Sequence, residues 1–172
     1  MEQKMTDALN DQMNFEYYSA HIYLSMAAYA GELGLAGFEH WLLTQYEEEV
    51  FHAQKFYHYI VSRDGRAVVK GFEDPEKDFD SLLSMLETAL EHERVVTSRI
   101  NDLVKLAGEL NDYATHNFLQ WYVGEQVEEE ETFTDLIQKV KLVKDAGLYI
   151  LDNELKTRTF TPPQQQGQDQ QQ

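Results

Sequence analysis

The sequence predicts an all-α fold. Four long antiparallel helices form one bundle, with a single long crossover between the second and third and a short fifth helix at the C-terminal end. Three observations carry this prediction. Apolar residues recur at steps of three and four along four stretches, roughly 5–33, 37–64, 80–107 and 112–144. Glycine and proline are sparse, nine and three in 172 residues, and the segments they separate keep that period. The connections "GELGLAG" and "GELND" are short enough to force antiparallel neighbours.

The first helix carries the line Leu9, Met13, Glu16, Ala20, Tyr23, Ala27, Ala30. The second carries Phe38, Leu42, Gln45, Glu49, His52, Phe56, Tyr59. After it, "GRAVVKGFEDPEKDFDS" is too long for a tight turn and can run the length of the bundle, so the second pair starts at the opposite end. The third helix gives Leu82, Leu86, Ala89, Glu93, Val96, Ile100, Leu103, and the fourth gives Leu119, Tyr122, Gln126, Glu129, Phe133, Leu136, Val140. At 1.5 Å per residue each long helix spans roughly 40 Å. The short fifth helix runs through "AGLYILDNELKT". Residues 1–157 therefore form one domain, and 158–172 a Pro/Gln-rich tail whose "TPPQQQGQDQQQ" is expected to be disordered.

The composition limits the partners. A formal net charge of -17, from 31 acids against 14 bases, excludes wrapping of nucleic acid or anionic lipid, which need clustered Lys and Arg. A field of that sign concentrates cations instead. With no cysteine there is no disulfide, thiolate metal site or cysteine nucleophile. The polar start "MEQKMTDALN" lacks the apolar run of a signal peptide, and no segment reaches the length of a membrane span, so a soluble cytoplasmic protein is expected.

Each apolar line is interrupted near its middle by groups able to bind metal. Glu16, Glu49, Glu93 and Glu129 stand at core positions. The interruptions are also registered with one another: from Glu16, steps of 33 and 36 reach Glu49 and His52, and from Glu93 the same steps reach Gln126 and Glu129. Each half of the chain is one helix with a single Glu, a turn, and a helix with a polar pair at i and i+3, which reads as a weak internal duplication. Packed together, the halves bring six polar side chains into mid-core. Burying one ionised carboxylate costs several kcal/mol, and four would also repel one another. No Lys or Arg lies on the stripes within this cluster. Two divalent cations would supply the missing charge, and carboxylates with one imidazole suit iron, manganese or zinc.

Glu48, Glu125 and Glu128 lie one helical step to the side and keep the same register, as either a flanking cation site or a solvated face. Glu130 and Glu131 read as solvated, and His21, His40, His58, His92 and His116 as surface or packing residues.

A Glu on each of two helices with a Glu-x-x-His on each of the other two is the arrangement of ferritin-like di-iron proteins. The segments "LNDQMNFEYYS", "EEEVFHAQ" and "NFLQWYVGEQVEEEETF" resemble the bacterial-type non-haem ferritins, and the likeness covers about residues 1–157. The resemblance implies a ferritin-like bundle in which Glu16, Glu49 and His52 hold one iron, with Glu49 bridging. It implies that Glu93 and Glu129 hold a second iron with Gln126 close by. Glu48, Glu125 and Glu128, helped by Glu129, resemble a third iron site. Tyr23 matches a tyrosine beside the centre and Trp121 a nearby tryptophan; either is an electron donor or core packing. Gln126 and Glu129 depart from the Glu and His of symmetric bacterioferritin-type centres, so looser binding of the second iron is expected. Val50 follows Glu49 where bacterioferritins carry their haem-ligating methionine, so no haem is expected.

The family's assembly is a hollow homo-oligomeric shell of two dozen subunits, with the fifth helix lining a symmetry axis. The activity implied is ferroxidation: Fe(II) enters through pores, is oxidised by O2 or H2O2 at the paired site, and is stored as ferric mineral. Two other functions fit the residues alone: a di-iron oxidase or peroxidase that stores no metal, and an acidic bundle acting through its surface.

Overall fold

The computed structural model describes residues 1–143 and 145–162. It contains five helices: α1 (Gln3–Glu32), α2 (Ala36–Ser62), α3 (Leu82–Glu109), α4 (Tyr113–Leu142) and α5 (Asp145–Leu155). The four long ones fall within two residues of the predicted bounds. Among the described residues no helix is long and apolar enough to cross a membrane.

The ends of α1, α2 and α3 share one stop signal. At each, a residue with left-handed backbone lets its own amide and the next one close back onto the last turn: Gly34 (φ 75), Asp64 (φ 58) and Asn111 (φ 55). For α1 the bonds are Gly34 N–H to Gly31 O at 3.0 Å and Leu35 N–H to Ala30 O at 3.0 Å. The equivalent pairs Asp64–Val61 with Gly65–Ile60, and Asn111–Gly108 with Asp112–Ala107, close α2 and α3. Within the predicted connection "GELND", Gly108 and Glu109 still belong to α3, and Asn111 makes the turn. Ser81 starts α3 with reciprocal side-chain caps to Ser84.

The crossover is held along α1. Asn10 Nδ2 donates to Arg66 O at 3.0 Å, and Asn10 Oδ1 accepts from Val68 N–H at 2.6 Å. One turn on, Asn14 repeats the pattern with Val68 O at 2.8 Å and Lys70 N–H at 2.7 Å. Four helical residues rise roughly 6 Å, close to the roughly 6.6 Å advance of two extended residues, so asparagines at i and i+4 match alternate peptides of the crossover. Further along, Ser25 donates to Glu76 O and Tyr29 to Phe79 O. The crossover thus runs parallel to α1 and delivers α3 antiparallel to it.

Helix α5 docks by capping. The N-cap of α2, Leu35, offers no side-chain acceptor. Asp152 supplies one from α5: its Oδ1 accepts from Gly37 N–H at 2.7 Å and Phe38 N–H at 3.1 Å. A Cβ on Gly37 would lie 1.6 Å from the Asp152 carbonyl oxygen, so only glycine permits this approach. Beyond the expected domain end at 157 the chain still packs: Arg158 lies 4.4 Å over Trp41 and Phe160 meets Phe51. Of the expected tail, residues 163–172 lie outside the described residues.

The core is two apolar clusters. One contains Tyr23, Met26, Phe38, Trp41, Leu86 and Phe133, the other Met5, Leu9, Met13, Phe56, Ile100 and Leu119. Asp152→Ala should cost about 0.5–2 kcal/mol, the usual worth of a helix cap, in denaturant unfolding. Gly37→Ala should additionally dislodge α5, read as increased proteolysis between α4 and α5. Wild-type midpoints in both variants would remove the cap from the fold's supports.

Candidate metal centre

Between the two clusters lies a layer of acids. Glu16, Glu49, His52, Glu93 and Glu129 are all buried, as is Gln126. Each sits where its helix turns its apolar stripe inward, so the side chain has nowhere else to go. Glu16, Glu49 and His52 each present a donor atom, all within 4.8 Å of one another, as the one such group of three among the described residues. His52 Nδ1 lies 3.7 Å from Glu49 Oε2, too far for a hydrogen bond. Glu16 Oε2 and Glu49 Oε2 are buried with no hydrogen-bond partner. Two orphaned carboxylate oxygens beside an imidazole fit a divalent cation, which needs such donors and would satisfy them.

Glu93 and Glu129 complete the layer from the other half of the chain, already engaged by neighbours. Tyr23 donates its hydroxyl to Glu93 Oε1, and Gln126 Nε2 donates to Glu93 Oε2 at 3.0 Å. Gln45 Nε2 donates to Glu129 Oε2 at 2.9 Å. Tyr122 donates to the carbonyl of His52 at 2.9 Å, fixing the turn that carries the imidazole.

The electrostatics follow from this crowding. Burial, then the neighbouring Glu49, pushes Glu16 well above the carboxylate range. Burial, then Glu93 and Glu129, does the same to Glu49. Glu93 is also raised, chiefly by burial. Burial and then Glu93 lift Glu129 from 4.5 to about 8. Burial and mutual repulsion thus favour the protonated carboxyls in the metal-free cluster, and a cation binding there competes with protons.

The flanking acids are less gathered. Glu48 is turned to Arg158, whose Nη2 donates to its Oε2 at 2.6 Å. Glu125 is half-buried and raised, mainly by burial, while Glu128 is exposed. Glu130, expected to be solvated, instead accepts from Thr97 Oγ1 at 2.6 Å in a half-buried position. Glu131 is exposed. His92 is packed against Phe15 at 5.3 Å and shares a 2.7 Å hydrogen bond with Ser19, and burial holds its pKa down to about 4. Trp121 stands edge-on to His52 at 5.4 Å, with the Lys55 ammonium 4.4 Å over its ring.

Sequence reasoning missed Gln12, Arg99 and Arg158, and gave Gln45 no role. Gln12 donates to Glu16 Oε1 at 2.8 Å and accepts from Arg99. The one available signal was polar residues four positions before Glu16 and Glu49, on buried faces.

The family profile described as Ferritin-like domain matches residues 6–143. The chain belongs to the ferritin family. It is 41% identical over 162 residues to the bacterial non-heme ferritin of Staphylococcus aureus (strain MRSA252), covering 93% of this chain and 98% of that one. It is 38% identical over 157 residues to a probable bacterial non-heme ferritin-like protein of Haemophilus influenzae, covering 90% and 95%. Among solved structures it is similar to an engineered closed form of the Archaeoglobus fulgidus ferritin, with a TM-score of 0.92, 46% identity and coverage of 94% and 99%. The open-pore ferritin of the same archaeon matches with a TM-score of 0.91 and 45% identity over 92% of this chain and 99% of that one. The fold is thus that of a ferritin from end to end of the bundle.

The sign of the pH dependence in this ferritin follows from the raised carboxyls. A carboxyl raised in the folded state contributes stability below its unfolded value, and that contribution is lost as pH rises through the folded value. Metal-free protein should lose thermal stability between pH 4.5 and about 8 on account of Glu129, and Glu129→Gln should flatten that part of the curve. Parallel wild-type and variant curves of melting temperature against pH would show that Glu129 does not titrate there.

Proposed function

We propose that this ferritin oxidises Fe(II) at a paired iron site and stores the product as ferric mineral inside a hollow shell of identical subunits. The observation that carries the reading is the set of buried, unpartnered carboxylate oxygens beside His52 in a ferritin bundle. Glu16, Glu49 and His52 take the first Fe(II), and Glu49 bridges to a second held by Glu93 and Glu129 with Gln126 beside it. Gln126 occupies its amide on Glu93 and brings no charge, which supports looser binding of the second ion.

Oxidation removes one electron from each of two Fe(II). O2 takes up the two electrons with two protons to give H2O2, or H2O2 takes them up with two protons to give two waters. Either oxidant balances the step. Of the two aromatic candidates, Tyr23 is the better electron donor. Its hydroxyl proton has Glu93 to go to, whereas the Lys55 ammonium over Trp121 opposes positive charge on the indole.

The shell is a cytoplasmic assembly of two dozen subunits. Exposed Tyr149 and Ile150 on α5, and Leu142 at the end of α4, supply apolar surface for such contacts. Glu48, Glu125, Glu128 and Glu129 form a third iron station on the way to the mineral. In this station Arg158 is the resident counter-ion of Glu48 and has to release it when metal arrives.

Sizing combined with aerobic Fe(II) addition tests the storage reading: a large hollow particle should take up many irons per chain, and a small oligomer saturating at two overturns it. Glu49→Ala or His52→Ala should abolish fast oxidation while leaving helical content unchanged; wild-type rates in both would remove these residues from the chemistry. Arg158→Gln should tighten binding of the third Co(II) or Zn(II) per subunit and leave the first two unchanged, as read by calorimetric titration. An unaltered third binding step would free Glu48 of any competition.

A further inference from the structure

One buried side chain joins the acidic layer to a cation outside it. Gln12 lies one turn before Glu16 on α1 and is 1% exposed. Its Nε2 donates to Glu16 Oε1 at 2.8 Å, and its Oε1 accepts from Arg99 Nε at 2.8 Å. The guanidinium is itself held from two sides: it lies 4.1 Å over the ring of Phe15, and its Nη2 donates to the carbonyl of Asp11 at 3.4 Å.

This arrangement leaves the amide no choice. A guanidinium has donors and no acceptor, so it takes the amide oxygen and leaves the NH2 for Glu16, whose carboxyl offers an acceptor oxygen in either protonation state. One orientation of Gln12 satisfies both, with its oxygen toward Arg99 and its NH2 toward Glu16; a flip breaks both bonds and sets like against like. With Oε1 of Glu16 so occupied, Oε2 is the oxygen left without a partner. Two residues sharing no sequence pattern, Gln12 and Arg99, therefore determine which Glu16 oxygen is free and keep the carboxylate from rotating to offer both.

We propose that Gln12 and Arg99 are positioning residues that fix Glu16 as a one-oxygen ligand of the first metal ion. The proposal rests on the assignment of Glu16 to the paired site and deepens it. Glu16 does not bridge, so its geometry is set by the protein alone before metal binds. Arg99 acts through Gln12, and the two work in series. Outer hydrogen-bond partners of metal ligands commonly change metal affinity about 10–100-fold when removed, and a relay in series predicts a specific pattern of loss.

The test uses the assembled protein and Co(II), which needs no oxidation, followed by its visible absorption and by titration calorimetry. Gln12→Leu should weaken the first Co(II) by about tenfold or more and alter the band shape as Glu16 becomes free to offer both oxygens. Arg99→Met should weaken it less, because the amide remains but is free to flip, and Arg99→Lys should recover most of the loss by returning a donor to Gln12 Oε1. The double variant Gln12→Leu with Arg99→Met should be no worse than Gln12→Leu alone. In Fe(II) oxidation these variants should raise KM more than they lower kcat.

Wild-type Co(II) affinity and spectrum in Gln12→Leu overturns the relay, and so do additive losses in the double variant. If Gln12→Leu fails to fold, Arg99→Met against Arg99→Lys decides, since a purely structural tie would leave the Co(II) spectrum unmoved in both. If Glu16→Ala binds the first Co(II) as wild type does, Glu16 is no ligand, and the site assignment falls together with the relay.

Discussion

Four glutamates meet at the height where the apolar stripes of the bundle would otherwise close over one another. Among the described residues, no ion pair joins a Lys or Arg to Glu16, Glu49, Glu93 or Glu129. In the metal-free protein, amide donors and carboxyls that hold their protons more tightly than usual offset the repulsion and desolvation there. Breaking the pairing of buried ions ordinarily costs about 3–5 kcal/mol, so a layer of this kind survives because apolar packing above and below holds the helices regardless. The two hydrophobic clusters are separate for that reason, with the site in the gap.

The same constraint explains why glutamines surround the acids. An amide offers hydrogens without a charge, so it can satisfy one carboxylate oxygen and leave the other hungry for a cation. Gln12 and Gln45 do this for Glu16 and Glu129, whereas Glu93 has both oxygens engaged, one by Gln126 and the other by the Tyr23 hydroxyl. A lysine in any of these places would pair permanently with its carboxylate and withdraw that group from a metal ion. The nearest guanidiniums are kept one residue removed: Arg99 reaches Glu16 through Gln12, and Arg158 stops at Glu48 on the rim.

Periodicity made the four helices and their acidic interruptions legible, because a buried stripe leaves the same trace whatever it packs against. Glu16, Glu49, His52, Glu93, Gln126 and Glu129 were visible as polar residues where apolar ones belong. What stayed hidden depended on partners with no shared period. Gln12 and Arg99 are 87 residues apart, and Glu48 and Arg158 are 110 apart, so no local pattern links them. Glycine served as the stop signal at Gly34, while at the ends of α2 and α3 Asp64 and Asn111 take that place, since their short polar side chains tolerate left-handed backbone. Glu130 read as solvated because an outward helical position does not reveal a threonine on the facing helix. Asn10 and Asn14 showed helical spacing, but their partner is an extended segment with no apolar rhythm of its own.

That pair of asparagines has a further meaning for how the chain tolerates change in length. Each amide reads one peptide of the crossover, so the span from the end of α2 to Lys70 is gauged against a rigid ruler. Adding or removing a single residue before Lys70 would face the rungs with the wrong atoms. Past that point no peptide is read on both sides: Phe72 packs against Tyr18 and His21, Phe79 against Tyr29, and the hydroxyls of Ser25 and Tyr29 grip carbonyls alone. Evolutionary tinkering with the size of this connection, or a peptide tag grafted into it, is therefore steered past Phe72 to the stretch from Glu73 to Pro75, where slack can be taken up without disturbing the helix that carries Glu16.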